Sequence, residues 1–128
     1  MIRIGVAQID IKIGDREANY RRVEKWMEEY YTPSATETAI ILPEIWDVGY
    51  AIEEPEKYGD VDAKQAISFL GGLAKKYNVW FVGGSVLART ADGAFNRALV
   101  INPKGECVNH YDKAHLIPLM DEDKYLKG

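Results

Sequence analysis

Cysteine occurs once in these 128 residues and histidine twice. A lone thiol, Cys107, excludes an internal disulfide and suits a reducing compartment. His110 and His115, with Asp112 between them, match no strong metal-ligand spacing, so no metal is expected. Basic residues are in the minority, with 16 Lys and Arg against 20 Asp and Glu and a net charge of -4. Without a basic block, no nucleic-acid partner is expected. The opening "MIRIGVAQID" carries Arg3 inside its apolar run and is too short for a secretory or spanning segment, so no membrane partner is expected either. These absences together predict a cytoplasmic protein. The glycines of "VGGSV" form neither G-x-G-x-x-G nor G-x-x-x-x-G-K, which disfavours a nucleotide fold.

What is present is ordinary globular material, 47% hydrophobic and 28% charged, in a length that predicts one domain over residues 1–128. The run "IRIGVAQI" predicts a buried strand from Ile2 to Ile9. In "DREANYRRVEKWMEEYY" Tyr20, Val23, Met27 and Tyr30 recur at helical spacing, with Asp15 as the cap. "AIIL" is a second strand. Between Ile45 and Asp62 no period holds, and Gly49, Pro55 and Gly59 interrupt it, so a long loop is expected. Asp62 and Gln65 resemble a capping box for a helix over Ala63 to Tyr77, although the paired Gly71 and Gly72 weaken that helix. Then come a third strand in "VWFVGGSVL", the turn "TADG", a fourth strand in "FNRALVI", the turn "NPKG" and a fifth in "ECVNHY", the three strands forming a meander. The tail from Asp112 reads as largely irregular, with a short helical turn near its end. The order predicts an α/β layered domain.

Glu44 stands at the carboxyl end of the second strand, on the rim of the long loop, where open α/β sheets gather ligands. A lone Glu there also suits a loop cap or a partner for a nearby Lys or Arg. Lys113 lies just past the fifth strand and converges on the same rim if that strand runs beside the others; otherwise it is a solvated lysine. Cys107 falls in an alternating strand with no helix start beside it, which suits a core thiol better than a nucleophile. Gly83 and Gly84 let the third strand bend or approach another backbone closely. Trp46 and Tyr50 are large rings near Glu44 that can exclude water and raise its pKa.

Five stretches in order, "VAQID", "LPEIWDVGY", "GGSV", "FNRALVINPKGE" and "YDKAHLIPLMDEDKYLKG", give a pattern that resembles the amino-terminal half of the nitrilase superfamily of carbon-nitrogen hydrolases. The wording around the lysine is most similar to the small-amidase, omega-amidase-like branch. The resemblance implies one mixed sheet with two helices on one face, half of a four-layer α-β-β-α sandwich. It also implies hydrolysis of a small carboxamide by a Glu-Lys-Cys covalent mechanism without metal or organic cofactor. Glu44 matches the base, Lys113 the lysine that stabilises the oxyanion, and Glu122 a second acid that orients the lysine or positions substrate. The nucleophilic cysteine of the family lies a few tens of residues past the lysine, beyond Gly128, and Cys107 does not replace it. The chain alone is therefore expected to be inactive. It is expected to form a homo-oligomer or to require the carboxyl-terminal half, because a bare sheet face exposes more apolar surface than monomers tolerate. The competing expectation is a non-catalytic α/β module that uses that face to bind a partner.

Overall fold

A computed structural model describes residues 1–82 and 84–128. In chain order the elements are β1 (Arg3–Val6), α1 (Arg16–Tyr30), β2 (Thr38–Ile41), α2 (Pro55–Tyr58), β3 (Asp60–Val61) and α3 (Lys64–Tyr77). They continue with β4 (Trp80–Val82), β5 (Val86–Thr90), β6 (Gly93–Ile101), β7 (Cys107–Asp112), a 3-10 turn (Pro118–Met120) and α4 (Glu122–Tyr125). β1, β2 and β4 pair in parallel, and β3 pairs parallel to β5. β4 and β5 both pair antiparallel with β6. β7 binds Arg97–Ile101 of the same strand and so occupies its other edge. The result is a mixed α/β sheet with a meander at one side, the class the sequence predicts.

Both long helices lie on one face of this sheet. Asp15 caps α1 by accepting the Ala18 N–H at 3.0 Å, and Val23 and Met27 turn inward as their spacing predicts. Tyr30 does not turn inward: it is 66% exposed. The inward place in that last turn goes to Tyr31, which meets Tyr77 edge-on and donates its hydroxyl to the Tyr77 carbonyl. α3 contributes Ala66, Leu70 and Leu73 to the same core as Ile40, Phe81 and Ile101 of the sheet. Gly71 does not break α3. A Cβ there would stand 2.6 Å from the Gly105 carbonyl oxygen, so the glycine lets the turn after β6 pack against the helix.

Several expectations about boundaries change. The N-cap position of α3 is Ala63, and the side chain that satisfies the first turn is Asp60, whose two carboxylate oxygens accept from Gln65 and Ala66, whereas Asp62 takes a left-handed conformation at φ 52. Asp60 is held in place by β3, an element that short irregular sequence did not reveal. The long loop likewise contains α2, begun by Pro55 at its first turn. The third strand is divided into β4 and β5. The first is four residues long rather than eight and lies at the sheet edge, with Ile4 and Val6 exposed at 54% and 64%. It is not buried because β1 has one neighbour and only one of its faces meets helices.

Register places Ile4, Val6, Ile41, Val82 and Val100 together on the outer face. Ile41, Val82 and Val100 are half-buried, and over this stretch the described residues supply no second layer. One end of the outer face is covered. There Ile45, Val48, Ile52, Leu87, Ala94 and Leu126 form a second, smaller core from the long loop, the sheet and the tail. The tail is thus anchored, and the Lys127 N–H donates to the Ala94 carbonyl at 2.8 Å. No helix among the described residues is long and apolar enough to cross a membrane.

Candidate active site

The strand end that carries Glu44 is stapled to Ser85 on both sides. The Ser85 N–H donates to the Pro43 carbonyl at 3.1 Å, the Trp46 N–H donates to the Ser85 carbonyl at 3.0 Å, and the Ile45 N–H donates to Ser85 Oγ at 2.9 Å. Between these staples Ile45 adopts φ 44, a conformation that costs a β-branched residue about 1–3 kcal/mol. Complete burial of its side chain offsets that strain. The sharp turn sends Trp46 to the helix side, against Tyr20 and Phe69, and Ile45 to the smaller core. Gly84 makes the staple possible: at φ +64 it lies so close to β2 that a Cβ would stand 2.5 Å from the Leu42 carbonyl oxygen. The expected close approach therefore holds for Gly84; Gly83 lies outside the described residues.

Asp47 anchors the next turn of the loop. It is fully buried, accepts the Leu87 N–H at 3.2 Å and pairs with Arg16 at 3.2 Å, while its carbonyl accepts from Asn19 Nδ2 at 2.8 Å. Arg16 also donates to the Tyr58 carbonyl. Burial pushes the Asp47 carboxyl up to about 6 against the opposing pull of Arg16. The first turn of α1 thus clamps both ends of the long loop.

Glu44 emerges on the outer face of the sheet, in an open cavity of about 290 Å³ with Asn96, Ala98, Tyr111 and Lys113 in its wall. Lys113 Nζ sits 3.0 Å from Glu44 Oε1 and 3.0 Å from Glu122 Oε2. The three residues singled out in the sequence therefore meet, although the first two are 69 positions apart. Glu122 is fully buried and also accepts the Ile117 N–H at 2.8 Å, so it ties the lysine to the tail. Burial raises the Glu44 carboxyl, but hydrogen bonds from Lys113, Asn96 and Tyr50 outweigh it and hold the group below the usual range. For Lys113 burial works downward, and its bonds to Glu122 and Glu44 overcome it and raise the ammonium. Glu44 and Lys113 thus stabilise each other as anion and cation.

Other residues fall differently from the sequence reading. Trp46 lies in the main core and does not face Glu44. Tyr50 does reach Glu44, but through its hydroxyl, which lowers the carboxyl pKa instead of raising it. Burial and that bond push the Tyr50 hydroxyl up to about 12. Cys107 is half-buried against the main core, with its Sγ 3.4 Å from the Asn109 carbonyl, and does not line the Glu44 cavity. His110 and His115 are exposed. Among the described residues no three His, Cys, Asp or Glu side chains are grouped to hold a metal. Sequence reasoning missed Ser85, Asp47 and Asn96. One signal for Asn96 was available: a polar side chain at an otherwise apolar position of "FNRALVI", where β6 buries it.

Residues 3–127 match the carbon-nitrogen hydrolase family. The hydrolase in agr operon of Staphylococcus aureus is 34% identical over 125 residues, which cover 98% of this chain and 47% of that protein. The 2-oxoglutaramate amidase of Bacillus subtilis is also 34% identical, with the same coverage of 98% and 47%. A CN-hydrolase superfamily protein of Xanthomonas campestris, solved with an arsenic adduct in its active site, superposes with a TM-score of 0.85. Its identity is 27%, and the match covers 98% of this chain and 46% of that one. The chain spans about half the length of the relatives it matches.

Proposed function

Since the chain belongs to the carbon-nitrogen hydrolase family, we propose that it forms the glutamate- and lysine-bearing half of a small-carboxamide hydrolase. The observation that carries this reading is the lysine held between two carboxylates, with Nζ 3.0 Å from Glu44 and 3.0 Å from Glu122. A cysteine from residues outside this sequence completes the site. Glu44, an anion at neutral pH, takes the thiol proton, and the nearby Lys113 ammonium favours the thiolate that results. The sulfur attacks the amide carbon, and Lys113 faces the oxyanion that develops; removing such a donor costs on the order of a hundredfold in rate. The protonated Glu44 returns its proton to the departing nitrogen as the C–N bond breaks, so ammonia leaves and a thioester remains. Glu44 then removes a proton from water, which adds to the thioester and releases the acid and the thiol. Glu122, buried and bonded to Lys113, keeps the ammonium aimed at the reacting carbonyl.

The relative from Bacillus subtilis is named for 2-oxoglutaramate, and an ω-amide of that size is the substrate class we assign. The bare stretch of sheet, with Ile4 and Val6 more than half exposed, is the surface on which the cysteine-bearing half packs, and the Glu44 cavity opens onto the same face. That face also supports a second reading, a non-catalytic module that binds a partner there.

The deciding experiment measures ammonia release from 2-oxoglutaramate and other small carboxamides. It is run on this chain alone and on this chain joined to the carboxyl-terminal half of the Bacillus subtilis amidase. The joined protein is expected to turn over and the chain alone is not. Turnover by the chain alone that survives Cys107→Ser overturns the proposal, as does an active joined protein whose rate survives Glu44→Gln. A joined protein that folds as a stable unit yet releases no ammonia favours the binding module.

A further inference from the structure

Asn96 touches both halves of the site by two different groups. Its side-chain Nδ2 donates to Glu44 Oε1 at 2.8 Å, and its main-chain carbonyl accepts the Lys113 N–H at 2.9 Å. It sits in the middle of β6, only 3% exposed, and pairs with Leu87 of β5. We propose that Asn96 is the positioning residue of this site, setting the Glu44 carboxylate and the Lys113 main chain in one frame. The inference rests on the Glu44 and Lys113 assignment made above and adds a residue to it.

Three observations carry it. First, Asn96 is the most deeply buried of the three side chains that bond Glu44, the others being Lys113 and Tyr50. Glu44 extends into an open cavity, and its side chain is 47% exposed. Lys113 is a flexible four-carbon partner and Tyr50 comes from the long loop, whereas a buried amide on a paired strand has almost no freedom. Second, the amide and Lys113 Nζ share a single oxygen, Oε1. Oε2 receives no hydrogen bond from either of them. Third, the Lys113 main chain is fixed at the end of β7 by the adjacent pair, in which Arg97 grips both Asp112 oxygens at 2.7 and 3.0 Å. β6 thus presents alternate devices on consecutive residues: Asn96 reaches the glutamate and the lysine backbone, and Arg97 locks the strand that delivers the lysine.

An asparagine suits this place for a chemical reason. It donates to a carboxylate without adding charge, so it orients Glu44 while leaving the charge balance to Lys113 and Glu122. An aspartate of nearly the same shape would set two like charges against each other and raise Glu44. A displacement of about 1 Å at a reacting group is enough to lose on the order of a hundredfold in rate, which is why a frame shared by base and cation matters.

The test is a pH titration of this chain by NMR, following the Glu44 carboxyl carbon and the Asn96 side-chain amide. Lys113, Glu122 and the Tyr50 hydroxyl are the other titratable groups facing Glu44. In the unaltered protein the Asn96 amide resonances should move with the same midpoint as the Glu44 carbon. In Asn96→Ala the Glu44 midpoint should rise while the Lys113 amide resonance stays in place, and Asn96→Asp should raise the midpoint further, by about one pH unit. A merely structural asparagine would change stability without moving the Glu44 midpoint. The proposal is overturned if the wild-type Asn96 amide ignores the Glu44 titration, a result that needs no variant to fold. It is also overturned if Asn96→Ala folds and leaves the Glu44 midpoint unchanged. Failure of the joined protein to release ammonia would remove the catalytic reading and leave these titrations untouched, so the two outcomes separate.

Discussion

Gly84→Ala should destabilise the protein by about 2–5 kcal/mol, and the figure comes from two effects at one atom. The residue sits at φ +64, where an L side chain costs about 1–2 kcal/mol. The new Cβ would also stand 2.5 Å from the Leu42 carbonyl oxygen and 2.7 Å from that of Pro43, against a relaxed carbon-to-oxygen contact of about 3.3 Å. Both obstacles are backbone, so the strands must part, and forced overpacking of this kind adds about 1–3 kcal/mol. Gly72→Ala is the control. It lies in α3 with nothing within 4 Å of a built Cβ, so the helix should gain about 0.5–1 kcal/mol. Urea unfolding followed by tryptophan fluorescence reads both changes, since Trp46 is 1% exposed and hydrogen-bonded to Ser85 next to the substitution. With a slope of about 1.5 kcal/mol per molar urea, a loss of 3 kcal/mol moves the midpoint by about 2 M. A Gly84→Ala midpoint within about 0.3 M of the parent would refute the close approach of this segment to β2, and with it the account of how Glu44 is held.

Three further outcomes follow from the same geometry. Asp47 binds its proton more readily in the folded state, with its pKa pushed up to about 6 from 3.8, so its contribution to stability falls as pH rises through that window. Relative to Asp47→Asn, the parent should lose roughly 2 kcal/mol between pH 4 and 7, and parallel stability profiles in urea would contradict this. Lys113→Met leaves the fully buried Glu122 without its cation and should destabilise by about 3 kcal/mol at pH 7. Thermal melts should show the deficit shrinking in Lys113→Met/Glu122→Gln; a deficit that persists in the double variant would rule out the uncompensated charge. The parent chain should self-associate through its outer sheet face, and Ile4→Lys/Val6→Lys should sediment as a monomer at similar stability, because those side chains are already 54% and 64% exposed. A monodisperse monomeric parent in the ultracentrifuge would defeat that prediction.

Much of the scaffold was legible as local pattern. Val23 and Met27 announced the inner face of α1, Asp15 its cap, and the branched runs around Ile40 and Phe81 the central strands. Tyr30, the length of β1 and the cap of α3 were misread. In each case contacts distant in sequence decided the outcome: Tyr77 draws Tyr31 inward, β1 lies at the sheet edge where no second layer of described residues covers Ile4 and Val6, and β3 carries Asp60 to the start of α3.

By itself the sequence determined the alternation of strands and helices, because backbone periodicity and capping act over a few residues. It also placed Glu44 at the end of the second strand and Lys113 just past the fifth, whereas Glu122 came from the family resemblance alone. Tertiary structure alone decided that Lys113 lies between Glu44 and Glu122, that Ser85 holds the strained Ile45, and that Asn96 joins the base to the strand carrying the lysine. The Glu44 contacts span 52 and 69 positions of chain, and over such distances only strand register and packing determine which side chains meet.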